Sequence, residues 1–459
     1  MKRRTFLGAA ALASVGSVIA NEKTKTKMKT RRADASPAPD TIEEQPRSVA
    51  VVQDCDVCVL GGSCTGVFAA VRAAQMGATV ALVEKQNAFG GVATSGLVAT
   101  WPHFKDRKFN RTIIGGLSQT MIDRLSRLGA TSVRSYDKSW KINTEELKIE
   151  LDKLVLDHAS ITPYLHTYYA GPLVEGGKTK AVFIENKDGR QAIRAKVFID
   201  ATGDGDLSKD IGIPFVIREG LQPPSTCAKI HGLPGIHSIF KLMKEHGKEF
   251  GLARDHGWSM DIPGGGGVNM YALTHVFNTN ACDARQLTAA EMEGRRQIRA
   301  YMDIARKYGG DRNNPSLLAL SSYIGVRETR SFEANYTLTE EDVMSCRRFP
   351  DAIANCEYHI DVHDPETGEF KFTEPHGEFY QIPLATMLNE KADNVVMAGR
   401  MISTDRAAFG GIRVMPNMNQ VGEAAGVTAA LAASEGEIVS RVDPASVRKH
   451  LARLGAVII

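Results

Sequence analysis

Apolar residues fall in short runs punctuated by glycine from position 56 onward. Val57-Cys58-Val59-Leu60 predicts a short strand, and Gly61-Gly62-Ser63-Cys64-Thr65-Gly66 the turn after it. Val67 to Met76 is Ala-rich and predicts a helix that stops near Gly77. Thr79 to Val83 predicts a second strand, which Glu84 ends. Farther along, Lys180–Ile184 and Lys196–Ile199 predict strands flanking the turn Lys187-Asp188-Gly189-Arg190. An amphipathic helix is predicted around Glu291–Lys307. Asn394 to Met397 predicts a buried strand that meets Gly399, and Asn417 to about Ala433 a helix with Pro416 in its first turn. Before all of this, residues 1–20 show a charged start, a short apolar run and a small-residue end, the pattern of a signal peptide. Residues 21–50 are Lys/Thr-rich, then Ala/Pro/Glu-rich, and predict a disordered linker.

Composition narrows the classes. Over 459 residues, 43% are hydrophobic and 24% charged, which excludes wholesale disorder, collagen and a multi-span membrane protein. Seven cysteines make no disulfide scaffold. The net charge of +3 misleads, because residues 1–32 hold nine Lys/Arg and one acid, Glu22. The rest of the chain is net acidic, and no basic stripe argues for nucleic acid.

The first strand–turn–helix–strand unit is a dinucleotide-binding fingerprint. Gly61 allows a tight turn, Gly66 lets the helix pack on the strand, and the helix N-terminus offers N–H groups to a pyrophosphate. Ser63 stands where a middle glycine is usual, with Gly62 adjoining. Glu84, followed by Lys85, is placed to bind ribose hydroxyls. Gly90-Gly91 and Thr94 follow the acid at a second glycine corner. Ala201-Thr202-Gly203-Asp204 closes a strand. Gly399-Arg400 and Gly411-Ile412-Arg413 precede the last helix, whose N-terminus favours a developing negative charge, with Arg413 adding a full charge. A calcium loop across Asp200 to Asp206 lacks the Glu expected at its twelfth position.

Gly61 to Gly66, Glu84, Gly90-Gly91, Asp200 to Asp206 and Ala398 to Gly426 together resemble the FAD-dependent oxidoreductase family of the glutathione-reductase-like superfamily. Gly294-Arg295-Arg296, Ile324 to Arg330, Leu338 to Val343 and Ile360-Asp361-Val362-His363 resemble the same family. The likeness covers about residues 54–435. It implies an α/β fold: a Rossmann-like FAD-binding domain of the three-layer ββα type, with an inserted α+β substrate domain. FAD-binding segments at 51–215 and 379–459 then flank an insertion at 216–378. The implied cofactor is FAD, and no metal is expected.

Candidate reacting residues are His103, Arg327, His363 and Arg413. A histidine titrates near neutral pH and suits a catalytic base, and an arginine fork suits a substrate carboxylate. Arg327 can equally pair with Glu328 or Glu333. His359, Asp361 and His363 are spaced to share one face of a strand. Metal binding there is disfavoured, because no clear fourth ligand accompanies them. Gly264 to Gly267 reads as a surface loop, or a hinge. Cys55 and Cys58 are three apart on a strand, so they face opposite sides and make no redox pair.

These readings give an exported oxidoreductase moving a hydride between a small organic substrate and flavin N5. Its electron acceptor is a quinone, a redox protein or oxygen. Arg3-Arg4 before Phe6-Leu7 resembles a twin-arginine signal, which implies the twin-arginine translocase as a partner and a periplasmic or other extracytoplasmic location. The alternatives are a reductase fed by a periplasmic or membrane donor, a non-redox lyase-like carbohydrate-active enzyme, and a non-catalytic FAD-binding protein.

Overall fold

Strand β1 (Ala50–Leu60) runs through the middle of a seven-stranded sheet. It starts seven residues before the predicted strand: its first half is mostly exposed, and Gln53 and Asp54 separate Ala50-Val51-Val52 from the buried run. Backbone pairing from Ala50 to Leu60 against the strand Gly189–Asp200 holds that half in register. Helix α1 (Cys64–Gln75) and strand β2 (Val80–Val83) complete the first unit, with β2 parallel to β1. The strand Ile161–Tyr164 extends the parallel order beyond β2.

Gly189–Asp200 links the parallel and antiparallel parts of this sheet. Its first half joins the antiparallel strands Tyr168–Glu175 and Lys178–Asn186. Its last residues pair in parallel with Val395–Met397, so a C-terminal segment closes the sheet begun at Ala50. This is the α/β, Rossmann-like architecture the sequence implies.

The helix Met415–Glu435 is buried almost end to end and lies on α1. Glycine permits the contact: a methyl at Gly422 would sit 2.1 Å from the Thr65 carbonyl oxygen, and one at Gly426 2.1 Å from that of Ala69. Arg72 of α1 crosses to Glu423 inside this contact. Its Nε donates at 2.8 Å and its Nη2 donates to the same oxygen, while Leu117 N donates at 3.1 Å to the other. Both charges are buried but paired, which makes their burial tolerable.

Between these halves, Trp258–Asp261, Val268–Ala272, Ala228–His231 and Ser316–Leu320 form an antiparallel sheet in that spatial order. The helices Ile236–His246 and Ala284–Tyr308 supply its apolar core through Ile239, Met243, Ile298, Tyr301 and Met302. The second helix starts seven residues before the predicted Glu291, where Asp283 caps it by accepting from Gln286 N. Gly264 to Gly267 lies between the paired strands Trp258–Asp261 and Val268–Ala272, as the turn of a hairpin.

The computed structural model describes residues 41–253, 256–310, 314–367 and 369–459. Val49–Ile459 forms one compact unit. Thr41 to Ser48 has no regular secondary structure. The expected signal peptide at 1–20, and residues 21–40 of the expected linker, lie outside the described residues. Among the described residues no helix is long and apolar enough to cross a membrane.

Candidate functional site

The glycine turn is built from contacts that exclude side chains. Gly61 has φ +102°, and a methyl there would meet the Ala201 carbonyl oxygen at 2.2 Å. A methyl at Gly66 would sit 1.8 Å from the Gly61 carbonyl oxygen. Ala201 is therefore the wall against which the turn folds. Ser63 takes the N-cap of α1 and makes no side-chain bond to the first turn. The free N–H groups of that turn are left for an anionic ligand.

Glu84 stands at the end of β2. One carboxylate oxygen accepts from Gly62 N at 2.6 Å and the other from Gln86 N at 2.7 Å. Burial pushes its pKa up against these bonds. Lys85 beside it is exposed. Gly90 N donates to the Gly62 carbonyl, and Thr94 Oγ1 donates to the Phe89 carbonyl at 2.6 Å. Thr94 thus pins the Gly90-Gly91 corner, facing inward.

The Ala201-Thr202-Gly203-Asp204 corner is tied to Arg400. Arg400 Nη2 donates to Asp204 Oδ1 at 2.5 Å, and Thr329 Oγ1 donates to the same oxygen at 2.9 Å. Arg400 Nε is buried and has no hydrogen-bond partner among the described residues. Thr202 Oγ1 donates to the buried Asp200 and accepts from Gly205 N and Asp206 N. An uncapped helix start, a carboxylate on the turn and an orphaned guanidinium donor match a dinucleotide with a diphosphate. These residues fit FAD.

A second cluster forms where the strand Ile360–His363 meets the short helix Arg406–Ile412. Arg413 caps that helix, and its Nη2 donates to Asp361 Oδ2 at 3.0 Å. His363 Nε2 lies 3.4 Å from Asp361 Oδ1, and Tyr358 donates its hydroxyl to Oδ2 at 3.3 Å. Burial would raise Asp361, but Arg413, His363 and Arg327 hold it well below the usual carboxylate range. Burial first, and the charge of Arg327 second, push His363 down to about 3. His363 Nδ1 and Arg413 Nε are buried and have no hydrogen-bond partner among the described residues. Arg327 donates to the Pro223 carbonyl and, at 2.8 Å, to Ser225 Oγ. Neighbouring Gln222 accepts from His363 N through Oε1. Glu328 pairs with Arg218.

Three of the four candidate reacting residues therefore share one neighbourhood. His103 is elsewhere: the charges acting on it are Lys105, Asp137 and Lys138. His359 precedes the strand, so the expected shared face holds for Asp361 and His363 only. Its ring stacks on Tyr358 and meets Phe372 edge-on, and its Nδ1 lies 3.8 Å from Glu374. Among the described residues no group of three or more His, Cys, Asp or Glu is placed to hold a metal ion. Gly411 and Ile412 lie inside the helix Arg406–Ile412, not in an open turn. Gly410 and Gly411 are there because methyls would press on the Asp361 carbonyl at 2.9 Å and the Tyr380 hydroxyl at 2.7 Å. Cys55 and Cys58 are free and buried, and burial pushes Cys55 up to about 12.

Sequence reasoning did not single out Gln222, His275 or Phe370, which surround His363. The His275 ring stacks with the His363 ring at 5.7 Å, and Phe370 meets the latter edge-on at 4.5 Å. The alternation in the strand Phe370–Thr373 was the one available signal; no spacing links 222 or 275 to 363.

Solved structures to which the chain shows a distant similarity include a geranylgeranyl bacteriochlorophyll reductase-like protein from Thermoplasma acidophilum. It is 12% identical, with 88% of this chain and 83% of that one covered, at a TM-score of 0.45. The p-nitrophenol 4-monooxygenase PnpA from Pseudomonas putida DLL-E4 is 11% identical over 87% and 86%, at 0.43. The flavin-dependent brominase Bmp2 is 13% identical over 86% and 83%, at 0.44. No curated protein matches the chain. The family model described as FAD dependent oxidoreductase matches residues 56–451. A match over that much of the chain shows that it belongs to the FAD-dependent oxidoreductase family.

Proposed function

We propose that the protein oxidises a small organic acid at a carbon bearing a hydroxyl or amine, with the Asp361–His363–Arg413 cluster as the reacting centre. The observation that carries this reading is a part-buried ion pair beside two buried polar atoms, His363 Nδ1 and Arg413 Nε, that have no hydrogen-bond partner among the described residues. FAD, when bound, supplies the acceptor for the hydride that leaves the substrate carbon.

The chain's own residues divide the remaining work. Asp361 faces His363 Nε2 and favours the tautomer with its proton there, leaving the Nδ1 lone pair to accept one. With its pKa pushed down to about 3, His363 stays in the neutral, proton-accepting form. Asp361 stabilises the imidazolium that results. Arg327 opposes that charge in the empty site, so a substrate carboxylate beside Arg327 would cancel the opposition and strengthen the base. Arg413 adds a second cation for orientation.

The test is anaerobic bleaching of the flavin by paired compounds. Hydroxy and amino acids should bleach it, and the matching alcohols and amines without a carboxylate should not. Bleaching by both sets alike would remove the case for carboxylate recognition. Electrons then pass to a quinone, a redox protein or oxygen. Arg3-Arg4 further supports export through the twin-arginine pathway, checked by whether Arg3→Lys with Arg4→Lys abolishes appearance outside the cytoplasm.

A further inference from the structure

Tyr323 lies on the segment between the strand Ser316–Leu320 and Arg330, which belongs to the region inserted between the two flavin-binding stretches. The segment is fixed at both sides. Ser322 N donates to the Ser95 carbonyl at 2.8 Å, just after the Gly90-Gly91 corner. Ile324 N donates to Glu291 of the helix Ala284–Tyr308 at 2.6 Å. Between these anchors the Tyr323 hydroxyl reaches the cofactor cradle. A methyl built on Gly91 would lie 3.5 Å from that hydroxyl and 2.8 Å from the Ser63 side chain. The phenol therefore stands over the same corner that leads into the first turn of α1.

The charged groups acting on the phenol belong to the cradle: Glu84, Arg400 and Asp204, with the Cys64 thiol beside them. Burial, followed by Glu84, raises its pKa, so it keeps its proton and is a donor. Among the described residues nothing hydrogen-bonds to the hydroxyl. A partly buried donor aimed at a helix start that accepts anions calls for an anionic oxygen.

We propose that Tyr323 is a cofactor-binding residue, donating its hydroxyl to an oxygen of the FAD diphosphate across the Ser63–Gly91 corner. The cofactor thereby becomes a tie between the flavin-binding domain and the inserted region. This inference rests on FAD binding at the glycine turn and is independent of the hydride-transfer reading.

The experiment is equilibrium dilution of the purified holoenzyme, with released FAD read by its fluorescence. Wild type, Tyr323→Phe, Tyr323→Ala and Glu84→Ala are compared. Loss of a bond to a charged acceptor should weaken FAD binding in Tyr323→Phe by about tenfold or more, with the melting temperature of the FAD-stripped chain unchanged. Wild-type affinity in Tyr323→Phe overturns the proposal. Tighter binding in Tyr323→Ala overturns it too, because the ring would then be occupying the cofactor's place. Glu84→Ala separates the two levels. If it weakens binding while Tyr323→Phe does not, only the role of Tyr323 falls. If neither does, the cradle itself is misassigned and the proposal falls with it.

Discussion

Replacing His363 by Gln should flatten the acid side of the stability profile. His363 is 4% exposed, and its pKa is pushed down to about 3 by burial and by Arg327. In the unfolded chain it returns to about 6.5. Between these values the unfolded state binds a proton that the folded state refuses. Stability is therefore full above pH 6.5 and falls as the pH drops toward 3. At pH 4.5 the refused proton costs about 2–3 kcal/mol, two pH units at about 1.4 kcal/mol each. Asp361 acts in a different window. Its depressed pKa stabilises the fold above about pH 4 and is lost only as the pH falls further. His103 and His359 are also depressed by burial and add to the same acid slope, so the informative quantity is the difference between wild type and variant. Urea unfolding at pH 7.5, 6.5, 5.5 and 4.5 measures it. The gap between the two proteins should shift by about 2–3 kcal/mol in favour of the variant at pH 4.5. Parallel profiles across that range would mean that His363 is not held neutral by its surroundings.

Glu423→Ala leaves Arg72 buried without its carboxylate, and should cost about 3–5 kcal/mol in urea unfolding. Gly426→Val puts side-chain atoms where a single methyl already lies 2.1 Å from the Ala69 carbonyl. It should lower the melting temperature and impair FAD retention by pushing the helix Met415–Glu435 off α1. A wild-type melting temperature would show that this contact is looser than it looks. Glu84→Ala removes the acceptor of Gly62 N and the carboxylate facing the cofactor. FAD affinity should fall roughly ten- to a hundredfold, read by flavin release on dilution.

Much of this was legible from local pattern. Gly61, Gly66 and Glu84 sit within one strand–helix–strand unit, so the cradle's first half lies within thirty residues or so of sequence. The placement of Arg400 was readable because a strand ending in glycine precedes it. The reacting cluster was legible only in part. Asp361 and His363 are two apart on one strand, but Arg413 reaches them by a packing contact between the strand Ile360–His363 and the helix Arg406–Ile412. Gln222 and His275 arrive from still other segments. His103 follows the glycine corner in sequence, yet its surroundings are Lys105, Asp137 and Lys138. Proximity in sequence to a cofactor motif does not by itself place a side chain in the site. Tyr323 had no local signal at all, since its neighbours Ser322 and Ile324 are fixed by bonds to Ser95 and Glu291, more than 200 and 30 residues away respectively.

The most direct test of the central claim is a single-turnover measurement under anaerobic conditions. Holoenzyme and a bleaching hydroxy or amino acid are mixed rapidly, and the rate of flavin bleaching is compared between wild type and His363→Gln. Loss of a positioned base should slow bleaching by about a hundredfold or more, with the concentration dependence little changed. Bleaching at the wild-type rate would place the reacting centre away from His363 and contradict the account.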